Sequence, residues 1–189
     1  MNVLIGKIIK DLLSGLPYFD KAAGLVQTIS RNDISDTKPS LKRFPVEVDV
    51  SEESNLNALY PHEDFKGMFY LEDGGVKSEG NNDWTSDLTL VCWFNPKKIA
   101  SNPEAVSANA VAEISNMFKS FYNNSSISRL KVNIVSLPIR DVNIFAKYTY
   151  DETQTQFIMP PYDFFSMKLK CSFRLNPTCL EPLIPSQPC

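Results

Sequence analysis

A single histidine, seven glycines and four cysteines in 189 residues leave little room for the usual enzyme chemistries. His62, set in Tyr60-Pro61-His62-Glu63-Asp64, would have to serve any Ser-His-Asp triad, His-assisted thiol or histidine-based metal site. No nucleophile in a recognisable elbow accompanies it, so it reads as a plain surface histidine. The glycines form neither a GxGxxG turn nor a phosphate-cradling loop. Cys92, Cys171, Cys179 and Cys189 contain no CxxC pair, which excludes a zinc knuckle or a thioredoxin-like site. A net charge of −3 argues against a general nucleic-acid binder, which is normally basic. No window approaches the roughly 18 apolar residues needed to span a bilayer. The apolar N-terminus is broken by Lys7, Lys10 and Asp11 and lacks the features of a signal peptide. The expectation is a protein made in a cytosol, with no catalytic residue, metal or cofactor.

Acidic pairs are present at Glu52/Glu53, Glu63/Asp64, Glu72/Asp73 and Asp151/Glu152. Neighbours in sequence point to opposite faces of a strand, and no calcium-loop pattern surrounds them, so they read as surface acidity. Cys92 and Cys171 lie in alternating apolar runs and behave as small hydrophobes. Cys179 and Cys189 flank a proline-rich stretch, and a reducing compartment disfavours their pairing.

What the chain has is pattern. Over residues 3–13, Leu4, Ile5, Ile8, Ile9, Leu12 and Leu13 share one broad face opposite Lys7, Lys10 and Asp11, the spacing of an amphipathic helix that stops at Ser14-Gly15. Residues 17–40 read as a connection holding a short helical piece near 21–28. Residues 43–50 alternate Phe44, Val46, Val48 and Val50 against Arg43, Glu47 and Asp49, and Pro45 assigns this strand to an edge. Residues 68–71 read as a strand entering a tight turn at Asp73-Gly74-Gly75. Residues 86–94 form a strong strand, with Trp93 indicating that its outer face is also covered. Pro103 opens a helix through 122 whose apolar face carries Val106, Ala110, Ile114, Met117, Phe118 and Phe121. Residues 131–137, 143–150 and 166–175 read as strands, the last alternating Met167, Leu169, Cys171, Phe173 and Leu175 against Lys168, Lys170, Ser172 and Arg174. Burial of that set against the second helix is the expected core.

The expected fold is therefore α+β, a two-layer domain in which two amphipathic helices cover a mainly antiparallel sheet. It comprises a single domain over 1–177 with a projecting acidic loop at about 51–83, and an extended proline-rich C-terminal tail over 178–189. Charge is distributed unevenly along it. Residues 47–87 hold eleven acids and two bases, whereas 88–178 hold ten bases and six acids. An acidic arm on a mildly basic body is either simple solvation or a device by which neighbouring copies recognise each other head to tail.

The order of elements resembles the tail-terminator and neck, or tail-completion, proteins of tailed bacteriophages. The resemblance is carried by the N-terminal helix, the strand Phe44-Pro45-Val46-Glu47-Val48, the strand closing at Phe94-Asn95-Pro96, the Pro-initiated helix and the late antiparallel strands. It implies a small α+β subunit that forms a homo-oligomeric ring and joins neighbouring virion proteins. It also implies a lumen through which DNA could pass without sequence recognition, no membrane and no cofactor. Localisation would be the host cytoplasm during assembly, then the virion tail or neck. The long loop and the proline-rich tail depart from the family and are expected to reach an adjacent subunit. On that basis Glu52, Glu53, Asp64, Phe65, Phe69, Glu72 and Asp73 of the arm, and Leu180, Leu183 and Ile184 of the tail, are the expected interface residues. The alternative is a monomeric binding module that presents its sheet or acidic loop to a protein partner.

Overall fold

A computed structural model describes residues 1–33, 40–48, 58–100, 102, 105–121, 127–136, 138–150 and 152–175. The chain opens with α1 (Asn2–Leu13) and continues through β1 (Lys21–Asp33), β2 (Ser40–Glu47), β3 (Gly67–Gly80) and β4 (Asp83–Phe94). A one-turn α2 (Pro96–Ile99) precedes α3 (Val106–Ser120), β5 (Ile127–Ile134), the short α4 (Glu152–Thr155) and β6 (Asp163–Leu175). The strands form one sheet in the order β2-β1-β3-β4-β6-β5. Every neighbouring pair is antiparallel except β1 and β3. β6 is inserted between β4 and β5, so β4, α3 and β5 make a crossover whose two strands are split by a third. The structure is α+β with a mostly antiparallel sheet, as the alternating runs imply.

The expected core is present. Met167, Leu169, Cys171 and Phe173 are buried with Val106, Ala110, Ile114 and Phe118 of α3 in one cluster, each large side chain contributing about 1.5–3 kcal/mol. Phe121 packs at its margin, and the side chain of Leu175 lies outside the described residues. α1 adds Ile5, Ile9 and Leu13 over β1 and β3, whereas Leu4, expected on the buried face, is 42% exposed. The helix approaches β1 closely at Gly6, where a Cβ would stand 2.8 Å from the backbone nitrogen of Leu25.

Four expectations about single elements require correction. Residues 21–28 are strand, not a helical piece. A register shift between Ala22 and Leu25 resets the alternation, so that Leu25 joins the helix-side core and both Ala23 and Val26 the opposite one. The acidic stretch is not a loop throughout, because Gly67–Gly80 is β3, a central strand. Its turn lies not at 73–75 but at Asn81-Asn82, both with positive φ (51° and 64°), as a two-residue hairpin joining paired Gly80 and Asp83 requires. Around Asp73 the strand only bulges. Residues 143–150 are not a strand either. Asp141 accepts a hydrogen bond from the backbone N–H of Asn143 and caps a 3-10 turn over Val142–Phe145, after which Phe145 and Tyr148, three residues apart, both turn inward.

Two layers become three. The sheet face opposite the helices carries a second core, in which Tyr70, Val91 and Trp93 meet Leu59, Phe145, Tyr148 and Phe157 from 3-10 turns and irregular chain. Trp93 is 1% exposed, stacks on Tyr162 at 5.2 Å and donates from Nε1 to the Phe157 carbonyl at 2.6 Å. The covered outer face that Trp93 implied is thus present. β2 forms one border of the sheet, as Pro45 required, and β5 forms the other.

Candidate interaction site

His62 lies half-buried between irregular segments, its ring 5.9 Å from Phe65 and 5.8 Å from Phe157. Nδ1 accepts from the backbone N–H of Asp64 at 3.2 Å and lies 3.2 Å from the Asp64 carboxylate. No three His, Cys, Asp or Glu side chains converge as metal ligands among the described residues. Cys92 and Cys171 are buried, and desolvation pushes both thiols up, that of Cys171 to about 12.

The residues expected at an interface scatter. Asp64 is exposed and Phe65 half-buried at the approach to β3, beside Tyr60 and His62. Phe69 is 1% exposed and belongs to the helix-side core, which corrects its expected role as an anchor for a neighbour: a central strand points every second side chain into its own subunit. Leu59 is likewise buried in its own subunit. Glu72 accepts from the Tyr148 hydroxyl at 2.7 Å and pairs with Lys147 at 2.5 Å. Asp73 accepts from Asn2 Nδ2 at 2.6 Å and from the Gly75 N–H at 2.7 Å. Glu52, Glu53, Leu180, Leu183 and Ile184 lie outside the described residues.

The acidic stretch is therefore neutralised in part within the chain. Arg174 grips Asp83 in a two-pronged pair, both bonds 2.8 Å, and holds the Asp83 carboxyl below its ordinary range. Glu47 takes Lys10 Nζ and the Gly24 N–H, each at 2.7 Å. Neither simple solvation nor contact between copies had included this use of the charges.

Around Glu72 sits a tyrosine cluster. Tyr148 bonds to the carboxylate, while the buried hydroxyls of Tyr70 and Tyr150 have no partner among the described residues. Burial, the largest influence on all three, pushes their pKa up and keeps the hydroxyls protonated. Tyr70 and Tyr148 belong to the second core, and Tyr150 packs at its margin.

The sheet's two borders differ. β2 is partly closed: Ala58 bridges Val46, and the Leu59 N–H donates to the Pro45 carbonyl at 2.8 Å. Beyond Val26 and Glu72, where their pairing ends, β1 and β3 part: β1 continues with β2 as a two-stranded ribbon, and the exposed end of β3 stays joined through β4 to β6. β5 has no further strand beside it among the described residues. Between it and the C-terminal half of α3 runs a trough of about 700 Å³, lined by Phe118 and Phe121 on the helix and by Leu130, Val132 and Ile134 on the strand. Lys119, Arg129 and Lys131 also line it. A smaller hollow of about 310 Å³ adjoins it through Ser115 and Ile134 and reaches Val135, which is 56% exposed. An apolar channel with basic side chains at an open sheet border is suited to an extended, apolar, non-basic segment of polypeptide. A tighter hollow of about 480 Å³ between α1 and β1 is crossed by the Lys10–Glu47 pair. Sequence reasoning singled out none of the trough-lining bases, because Lys119, Arg129 and Lys131 come from two elements that only the crossover brings together. No helix among the described residues is long and apolar enough to cross a membrane. Comparison with protein-family models, curated proteins and solved structures finds no match.

Proposed function

We propose that this chain is a structural assembly subunit that forms a homo-oligomeric ring of the tail-terminator or neck type in a tailed bacteriophage. It would act through protein contacts rather than catalysis, first in the host cytoplasm and then in the virion. The observation that carries this reading is the inequality of the sheet's borders: β2 is partly closed by its own chain, whereas β5 borders a basic, apolar trough. Surfaces of different character on one subunit favour head-to-tail contacts, which close into rings when the rotation closes. The β1–β2 ribbon and the exposed end of β3 offer further contact area toward an adjoining tier. The order of elements seen in the sequence supports the same reading.

Native mass measurement of the full chain tests it. The expected result is a closed particle whose mass is a multiple of the 21.3 kDa subunit. A single copy at assembly concentrations overturns the ring and favours a monomeric binding module.

A further inference from the structure

The trough between α3 and β5 is built for a guest of particular chemistry. Its floor is apolar, with Phe118 and Leu130 buried, and its lining among the described residues includes three bases and no acid. One stretch of this chain matches: residues 176–189, NPTCLEPLIPSQPC, contain no lysine or arginine, one acid at Glu181 and four prolines. These residues lie outside the described part of the structure. Proline restricts the backbone to extended geometry, so docking such a stretch forfeits less conformational freedom than docking an ordinary chain. A polyproline helix, with three residues per turn, would put Leu180 and Leu183 on one face and Glu181 on another.

We propose that residues 178–184 of one copy occupy the α3–β5 trough of the next copy in the ring, with Leu180 and Leu183 on its apolar floor and Glu181 beside its bases. This deepens the ring reading and rests on it. In a head-to-tail ring the guest comes from a neighbour. β6 ends at Leu175, which pairs with Ile127 at the start of β5, so residues 176–189 start from that end of the sheet, and a head-to-tail contact presents what leaves one subunit to a different face of the next.

The test uses the full chain carrying Ser120→Cys, an exposed site among the trough-lining residues, together with Cys189→Ser. Cys179 is then the tail's one thiol, and the remaining native thiols, Cys92 and Cys171, are buried. A short bismaleimide is added, and products are separated under denaturing, reducing conditions. The expected result is covalent dimers and higher ladders, roughly tenfold or more above the same chain with Ala108→Cys in place of Ser120→Cys, a control on the exposed N-terminal half of α3. Linkage confined to single chains, read as a mobility shift without a ladder, overturns the exchange between copies. Ladders no stronger than the control's overturn the trough as the tail's seat. Native mass of the unmodified protein keeps the two ideas apart: a ring with no Ser120→Cys-dependent ladder removes this inference alone, whereas a monomer removes the ring reading.

Discussion

Gly6 sets two effects of one methyl group against each other. Within α1, replacing it by alanine gains about 1 kcal/mol of helix propensity. The added Cβ, however, would stand 2.8 Å from the Leu25 nitrogen, which is backbone and cannot swing aside, and overpacking of this sort costs about 1–3 kcal/mol. Gly6→Ala is therefore expected to lower the urea midpoint, while Gly15→Ala, whose Cβ meets nothing within 4 Å, holds the midpoint or raises it, with a gain in stability of about 0.4–1 kcal/mol. If Gly6→Ala proves the more stable of the two, α1 does not pack this closely. The tyrosine cluster makes a second matched pair. Tyr148→Phe deprives Glu72 of a 2.7 Å hydrogen bond and should cost about 1–3 kcal/mol, whereas Tyr150→Phe removes a buried hydroxyl with no partner among the described residues and should be neutral or stabilising. Thermal melts of both variants give the order directly. The Asp83–Arg174 pair adds a pH dependence. Arg174 lowers the folded carboxyl below its ordinary 3.8, so the stabilisation is complete above that value and is lost as pH falls through the lower, folded one. The melting difference between the native chain and Asp83→Asn should thus be present at neutral pH and vanish in acid. A difference that grew on acidification would reverse the sign of the argument.

At the scale of elements, legibility followed period. α3 and β6 were readable because their apolar residues recur without interruption, and they meet in the core as their spacing required. Ile114, fully buried on α3, should cost about 2–5 kcal/mol when cut to alanine, a loss that chemical denaturation would register; a loss under 1 kcal/mol would mean that the helix face is not the core's lid. The misread elements share a physical cause, a local device that breaks period. In β1 it is the shift between Ala22 and Leu25, which leaves Lys-Ala-Ala-Gly looking helical. In β3 it is the bulge after Asp73, which mimics a turn at Gly74-Gly75 while the hairpin turns at Asn81-Asn82. Between β5 and β6 it is the cap of Asp141, which rolls an alternating stretch into a 3-10 turn. The trough was illegible for a different reason: α3 and β5 are separated by their link in sequence, and neither carries a motif of its own.

For the whole molecule, the decisive quantity is how charge is shared between the inside of a subunit and its neighbours. From composition alone, an acidic arm and a basic body suggest a ring held by ionic contacts, which salt would open. Within the described structure, however, Asp83, Glu72 and Glu47 are already paired to Arg174, Lys147 and Lys10 of the same chain. An ion pair satisfied inside one subunit has little attraction left for a partner. The proposed contact between copies instead buries leucine side chains in an apolar trough, with one acid among its bases, and apolar burial does not weaken as the screening length contracts to about 3 Å near 1 M salt. The ring is therefore expected to keep its native mass when salt is raised from about 0.1 M to about 1 M. Deleting residues 178–189 should yield a folded monomer at either salt, because both core clusters are built from residues no later than Phe173. Light scattering on the two chains at the two salts gives a four-way comparison. Dissociation of the full chain at high salt would restore an ionic ring and displace the tail from its role, and an intact ring from the truncated chain would do the same.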